Sequence, residues 1–123
     1  MNKEDLKKRT KTFAINVFKM VNGLPSGKAS EVISYQLFKS SSSVAANYRS
    51  ACRAKSGPDF VNKLKIVNEE ADESLFWLEF IDELELPVDK KEISRLKKEA
   101  NELVAIFSSS IKTIVMKGIP HSN

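Results

Sequence analysis

The sequence predicts an all-α fold, an antiparallel four-helix bundle with up-down-up-down order. Only four glycines and four prolines interrupt 123 residues, which leaves long stretches without helix breakers. Within four such stretches apolar residues recur at alternating spacings of three and four, the period of one helix face. The connections between the stretches are short, so neighbouring helices must run antiparallel. We expect a single domain over residues 1–123, with helices at about 3–22, 30–55, 58–85 and 89–116.

The first two helices have clear apolar faces and clear ends. Gly23 and Pro25 end the first helix, since Gly suits a C-terminal cap and Pro cannot continue the hydrogen-bond ladder. The second helix is expected to start near Ser30, with Glu31 where the helix dipole favours a carboxylate. The face of the first helix consists of Leu6, Thr10, Phe13, Val17, Met20 or Val21, and Leu24. The face of the second consists of Ile33, Leu37, Ser40, Val44, Tyr48 and Ala51.

The third and fourth helices carry equally regular patterns. Pro58 and Asp59 suit the first turn of the third helix. Asp89, with Glu92 three residues later, forms a capping-box pattern for the fourth. From Gly118 onward we expect a tail. The two apolar faces are Phe60, Leu64, Val67, Ala71, Leu75, Leu78 and Ile81, and Ile93, Leu96, Ala100, Leu103, Phe107, Ile111 and Ile114.

Composition narrows the functional class. No apolar run reaches the roughly 18 residues that a membrane span needs, so we expect no membrane partner. The single Cys52 excludes an intrachain disulfide and suits a reducing compartment, which predicts a cytoplasmic protein. The only histidine, His121, lies in the expected tail, which leaves a histidine-assisted nucleophile or histidine metal site without ligands. We therefore expect no catalytic residues, no metal, no cofactor and no enzymatic activity.

Charge is strongly segregated along the chain. Residues 1–57 carry a net charge of +8, residues 58–88 a net charge of −7 and residues 89–123 a net charge of +3. An acidic third helix flanked by basic elements could attract neighbouring helices, other subunits or a polyanion. The alternative is a solvated surface with uneven charge.

Polar residues in the second and third helices are expected to fix the register of their hairpin. With a turn near Gly57, antiparallel residues whose numbers sum to roughly 114 face each other. An interaction of Arg49 with Glu69, or of Asn47 with Glu70, would then fix the register. Small residues would allow the two helices to approach closely; they are Ser40, Ser43, Ala46 and Ser50.

The third helix is apolar around most of its circumference. Phe76, Trp77 and Phe80 fall beyond its inner stripe, and aromatic residues in excess of a core often mark a protein–protein surface. Phe18 and Phe38 similarly fall off their inner faces. We therefore expect a homo-oligomer. The alternative is a thick core in which these residues line broad helix faces.

Basic residues on the first two helices form a candidate surface for RNA or DNA. Such binding would act through counterion release, and it would be salt-sensitive and largely independent of sequence. Tyr35 and Tyr48 are the only plausible platforms for base stacking. The alternative is a protein-interaction scaffold with no nucleic-acid role. The candidate nucleic-acid-binding residues are Lys7, Lys8, Arg9, Lys11, Lys39, Arg53 and Lys55.

Two motifs resemble a known family. From Ser41 to Ala54 the chain matches S-x-S-V-A-A-N-x-x-x-A-x-x-A, and from Ser56 to Glu79 it matches S-G-P-D-F-x-x-K-L-x-I-x-x-E-E-A-D-E-S-x-F-W-L-E. These resemble the bacterial four-helix bundle proteins encoded in intervening sequences of 23S ribosomal RNA genes, the S23 type. More distantly, the chain is similar to the accessory protein of diversity-generating retroelements, a basic pentameric barrel that works with a reverse transcriptase and nucleic acid.

The resemblance implies a four-helix protomer and a ring-shaped homopentamer, and it implies no enzymatic activity. It also implies structural or interfacial roles, rather than catalytic ones, for the matching residues. These are Ser43, Asn47, Arg49, Glu69, Glu70, Glu73 and Trp77.

Overall fold

Four antiparallel helices form the protein in the computed structural model, which describes residues 1–118. They are α1 (Lys3–Val21), α2 (Lys28–Ala51), α3 (Gly57–Glu83) and α4 (Lys90–Lys117). Consecutive helices pack against each other, and α1 also meets α4, though these two approach each other least. The predicted four-helix bundle is thereby confirmed. The expected tail after Gly118, including His121, lies outside the described residues.

The core follows the predicted helix faces except on α3. The expected residues of α1 and α2 are buried except Leu24, which follows the end of α1 and is partly buried, and those of α4 are buried up to Phe107. On α3, however, Phe60 and Leu75 are only partly buried, and Val61 and Ser74 take their places in the core. The other five predicted positions of α3 are buried, and the small Ser74 faces α2 where Leu75 was expected to point inward.

Two buried serines set the register between α2 and α3. The Ser74 hydroxyl donates to Oγ of Ser40 at 3.0 Å, and the carbonyl oxygen of Glu70 lies 2.9 Å away. The Ser40 hydroxyl donates in turn to the carbonyl of Leu37 at 3.1 Å. Both serines are inaccessible to solvent, so each hydroxyl needs a partner within the protein. The pair agrees with the antiparallel register that the turn near Gly57 predicts.

The prediction that Arg49 or Asn47 fixes this register by contacting a glutamate of α3 is wrong. The Asn47 side chain turns back along its own helix, where Nδ2 donates to the Ser43 carbonyl at 2.9 Å and to Ser43 Oγ at 2.7 Å. Arg49 is exposed, and within residues 1–118 it has no carboxylate in ion-pair distance. Close approach requires small groups at the interface, and the two serines meet that need with less desolvation than an Arg–Glu pair would.

Arg9 connects α1 to α4. Its Nε and Nη2 donate to the two carboxylate oxygens of Glu99 at 2.7 and 2.8 Å, and Nη2 also donates to Glu102 at 2.7 Å. These bonds raise the pKa of the guanidinium, chiefly through Glu99, against the opposing effect of burial. A bidentate pair of this kind fixes orientation as well as distance. It therefore positions α1 along the interface with the least close packing.

The start of α3 is held by a compact set of hydrogen bonds. Ser56 is the N-cap, and its Oγ accepts from the Asp59 N–H at 3.2 Å. The Asp59 carboxylate accepts from the Lys55 N–H at 3.0 Å and from the Lys63 ammonium at 2.9 Å. The pKa of Asp59 is lowered, first by the Lys55 N–H and then by Lys63. Pro58 lies in the first turn, as predicted.

The capping box predicted at the start of α4 is absent, and a capping box occurs at the start of α1. Asp89 is the N-cap residue of α4, but its side chain makes no capping bond, and the Glu92 carboxylate pairs with Arg95. A full capping box occurs on α1, where Asn2 and Asp5 bond reciprocally at 2.8 and 3.2 Å. Side-chain oxygens at these positions satisfy the free N–H groups of a helix start.

Replacing Ser74 by Leu is expected to destabilise the bundle by roughly 1–3 kcal/mol, because the larger side chain forces α2 and α3 apart. Ser74→Ala keeps the close approach and loses only the hydroxyl bond, so we expect a cost of about 0.5–1.5 kcal/mol. Urea unfolding followed by circular dichroism measures both. Equal costs for the two variants would contradict the steric explanation.

Arg9→Met should lower the free energy of unfolding by about 1–2 kcal/mol, because it leaves two partly exposed carboxylates without their cation. Arg9→Lys retains the charge but cannot donate two parallel hydrogen bonds to Glu99, so its unfolding free energy should lie between those of Arg9→Met and the unmodified protein. The matched control is Lys8→Met on the same turn, where the side chain is exposed. Similar losses for Arg9→Met and Lys8→Met would show that the Glu99 contact does not stabilise the bundle.

The lowered pKa of Asp59 makes stability depend on pH in acid. A carboxyl group whose folded-state pKa lies below its ordinary value of about 3.9 stabilises the fold above that pH. This stabilisation is lost as the pH falls through the folded-state pKa. Carbon-detected NMR should show Asp59 titrating below the ordinary range. Lys63→Met should restore its pKa only partly, since the Lys55 N–H is the larger cause.

Candidate assembly and nucleic-acid surfaces

The seven candidate nucleic-acid-binding residues do not form one surface. Lys7, Lys8 and Lys11 line a groove between α1 and α2. Arg9 turns to α4, where two carboxylates neutralise it. The remaining three lie elsewhere: Lys39 is beside Tyr35 and close enough to Glu70 to affect its pKa, whereas Arg53 and Lys55 lie in the α2–α3 turn.

The groove between α1 and α2, here called the basic groove, has a volume of about 740 Å³. Small side chains line its floor and leave space between the helices, among them Ala14, Ala45 and Ala46. The rings of Phe18 and Phe38 meet at one end, with centroids 5.4 Å apart. The basic residues Lys7, Lys8, Lys11 and Arg49 also line the groove.

Most cations of the basic groove lack a carboxylate partner among residues 1–118. Lys7 pairs with Glu4 at 2.7 Å. Within residues 1–118, Lys8, Lys11 and Arg49 have no carboxylate within ion-pair distance. Arg49 was predicted to contact α3, whereas in the structure it lines the groove together with the α1 lysines. Ala45, Ala46 and Arg49 of α2 line this groove, whereas Val44 and Tyr48 are buried in the core.

The outward face of α3 carries aromatic rings bordered by acids. Phe76 is 51% exposed and Phe80 37%, although Leu78 between them is fully buried. Their rings stack with centroids 5.8 Å apart. Trp77 packs edge-on against both rings and is partly buried against the core. We call the exposed row the aromatic ridge; it consists of Ile66, Glu69, Glu73, Phe76 and Phe80.

The acidic residues of α3 have different environments. The Trp77 indole N–H donates to the carboxylate of Glu73 at 3.2 Å. The pKa of Glu70 is raised, first by burial and then by the negative charge of Glu73, while Lys39 opposes the shift. Glu69 is exposed on the ridge. Across residues 1–118, no group of three or more His, Cys, Asp or Glu side chains is arranged to hold a metal ion.

One end of the bundle is rich in cations. Antiparallel order brings the start of α1, the α2–α3 turn and the end of α4 together, and Lys3 lies 5.2 Å from the ring centroid of Phe60 on α3. Sequence reasoning found Arg53 and Lys55 but missed the others, because they are far apart in the chain. We call this set the basic end; its exposed cations are Lys3, Arg53, Lys55, Lys112 and Lys117.

The expected stacking platforms are not near the basic end. Tyr48 is 3% exposed and packs against Phe107, with ring centroids 5.5 Å apart, so it cannot stack on a base. Tyr35 is exposed, but it lies in the half of α2 remote from the α2–α3 turn. In the described part of the chain, no helix has the length and apolar character needed to cross a membrane.

Comparison with known proteins gives a consistent family assignment. The family model for the 23S rRNA-intervening sequence protein matches residues 2–109. A similar crystal structure is that of a protein of unknown function from the S23 ribosomal protein family of Bacteroides thetaiotaomicron, with a TM-score of 0.80 and 29% sequence identity. The alignment covers 91% of this chain and 99% of that one. No curated protein matches significantly. The chain belongs to the 23S rRNA-intervening sequence protein family.

Proposed function

We propose that this chain is a non-enzymatic, homo-oligomeric helical bundle of the cytoplasm that binds RNA or DNA through its basic end. The observation that supports it is the convergence there of Lys3, Arg53, Lys55, Lys112 and Lys117 from three parts of the chain. Within residues 1–118 none of these cations has a carboxylate in ion-pair distance. Unpaired, exposed cations can neutralise phosphates and release counterions.

The chemistry of the basic end favours the nucleic-acid backbone over the bases. The buried Tyr48 and the remote Tyr35 leave this end without the two tyrosines that could stack on bases. Phosphate contacts position a nucleic acid without reading its sequence. We therefore propose binding with little sequence preference, in which each phosphate contact contributes to the salt dependence.

Self-association is the second part of the proposal. Phe18, Phe38, Phe76 and Phe80 are each more than a third exposed, which is more aromatic surface than a monomer of this size needs to leave in water. The family resemblance leads us to propose a homopentamer. Several basic ends on one assembly would increase apparent affinity by multivalency. A protein-interaction scaffold with no nucleic-acid role is the alternative.

Fluorescence anisotropy with short labelled RNA and DNA should detect binding at about 50 mM salt, with affinity falling as salt rises. Arg53→Ala with Lys55→Ala should reduce the slope of log K against log salt by about 1.4–1.8, the contribution of two phosphate contacts. The matched control replaces two exposed lysines near the start of α4, Lys91→Ala with Lys98→Ala, and should leave the slope nearly unchanged.

Absence of binding to either nucleic acid at about 50 mM salt would contradict the nucleic-acid role and favour the scaffold alternative. An equal loss in both double variants would show that net charge, rather than the basic end, governs binding. Sedimentation of the unmodified protein tests the oligomer separately, since a monomer has a mass of 13.8 kDa.

A further inference from the structure

We infer that the aromatic ridge of one copy docks into the basic groove of a second copy, so that the subunits join head to tail. The inference rests on the self-association proposed above and names its two surfaces. Such a contact is heterologous, because each copy contributes a different surface to each of its two neighbours. It accounts for the two exposed aromatic patches and for the opposite charges of α1 and α3.

The two surfaces match in chemistry. The basic groove offers Lys8, Lys11 and Arg49, which lack carboxylate partners within residues 1–118, beside an apolar end formed by Phe18 and Phe38. The ridge offers exposed carboxylates followed by exposed rings. The floor of small side chains gives the rings space to enter. Opposite charge at the rim and apolar surface at the centre are what a specific protein interface needs.

The two surfaces also match in height along the bundle. The Ser40–Ser74 hydrogen bond sets one level shared by α2 and α3. Phe38 precedes Ser40 by two residues, and Phe76 follows Ser74 by two. Because α2 and α3 are antiparallel, both phenylalanines lie about 3 Å from the serines toward the same end of the bundle, level with each other. Phe18 contacts Phe38 and so shares this level.

Charged residues of the groove and of the ridge also lie at the same height along the bundle. Because α1 and α3 run in the same direction, equal sequence spacing means equal spacing along the bundle. Lys11 precedes Phe18 by seven residues and Glu69 precedes Phe76 by seven, so each lies about 10 Å below its ring. A copy rotated about an axis parallel to the bundle, without translation, therefore places ring against ring and lysine against glutamate.

Rotation without translation generates a closed ring. The basic groove lies between α1 and α2, whereas the ridge lies on the outward face of α3, so the two surfaces are not opposite each other on the bundle. Each docking step consequently turns the next subunit. Without translation along the axis the series cannot extend as a helical filament, and a rotation that divides a full turn closes it into a ring.

A protein ridge fits the groove better than a nucleic acid does. The end formed by Ile15, Phe18 and Phe38 is apolar, and a phosphate backbone lying along the whole groove would be unpaired there. The groove runs from Glu4 to Phe18 on α1 and the ridge from Ile66 to Phe80 on α3, each about 21 Å long at the rise of an α-helix. Helix-in-groove docking uses an amphipathic row of this spacing.

Two substitutions at exposed positions test the basic groove and the aromatic ridge separately. Ala46→Arg fills the basic groove and Phe76→Arg breaks the ridge, so each variant should sediment near the monomer mass of 13.8 kDa while the unmodified protein sediments as a larger species. The matched control is Ala105→Arg, at an exposed alanine of α4, which should leave the assembly intact. Circular dichroism checks that each variant keeps its helix content.

Mixing the two defective variants is the decisive measurement. The Ala46→Arg chain keeps its ridge and the Phe76→Arg chain keeps its groove, so an equimolar mixture should form a 1:1 dimer that cannot extend. A mixture that stays monomeric, or a single variant that stays fully assembled, would overturn the head-to-tail contact. A monomeric unmodified protein would overturn both the contact and the proposed self-association.

Nucleic-acid binding provides an independent readout. If Ala46→Arg weakens RNA or DNA binding while leaving the assembly mass unchanged, the groove is a nucleic-acid site and the docking inference fails. If the masses behave as expected and the basic-end variants bind nucleic acid as well as the unmodified protein does, the inference stands. In that case the proposed basic-end function fails.

Discussion

The close approach of α2 and α3 at Ser40 and Ser74 sets the geometry on which the other surfaces depend. Two buried hydroxyls bonded at 3.0 Å leave no room for a larger side chain at this level. With Ser74 directed inward, Phe76 and Phe80 face away from the core. The same pair aligns Phe38 with Phe76 along the bundle axis. A hydrogen bond of modest strength thus decides which aromatic residues are covered and which remain in water.

The charges of the molecule divide into those used within the fold and those left available. Arg9, Lys63 and Lys97 are paired with carboxylates, and they connect α1 to α4, hold the start of α3 and connect α4 to α3. The pKa of Asp82 is lowered chiefly by Lys97, and the pKa of Asp59 is lowered first by the Lys55 N–H and then by Lys63. Among the cations of residues 1–118 without a carboxylate in ion-pair distance, three line the basic groove and five lie at the basic end. The pairing pattern, rather than the net charge of +4, therefore distinguishes structural from available cations.

The two proposals use different residues and so do not compete. The basic groove between α1 and α2 is assigned to a second copy of the chain, whereas the basic end is assigned to nucleic acid. In a ring built by rotation alone, all the basic ends would point to the same side. Assembly would then collect the exposed cations of several subunits on one surface, which increases apparent affinity without any new contact within a subunit.

The sequence by itself determined the four helices, their order and most of the core, because apolar periodicity and short connections constrain both. It also located the excess aromatic residues and the charged segments. The tertiary structure alone decided the orientation of individual polar side chains. Arg9 found partners ninety or more positions away in the chain, Asn47 bonded within its own helix, and Arg49 faced α1 instead of α3. A long polar side chain near a helix edge can turn to either neighbouring helix, and only the packed positions of both helices determine which it meets.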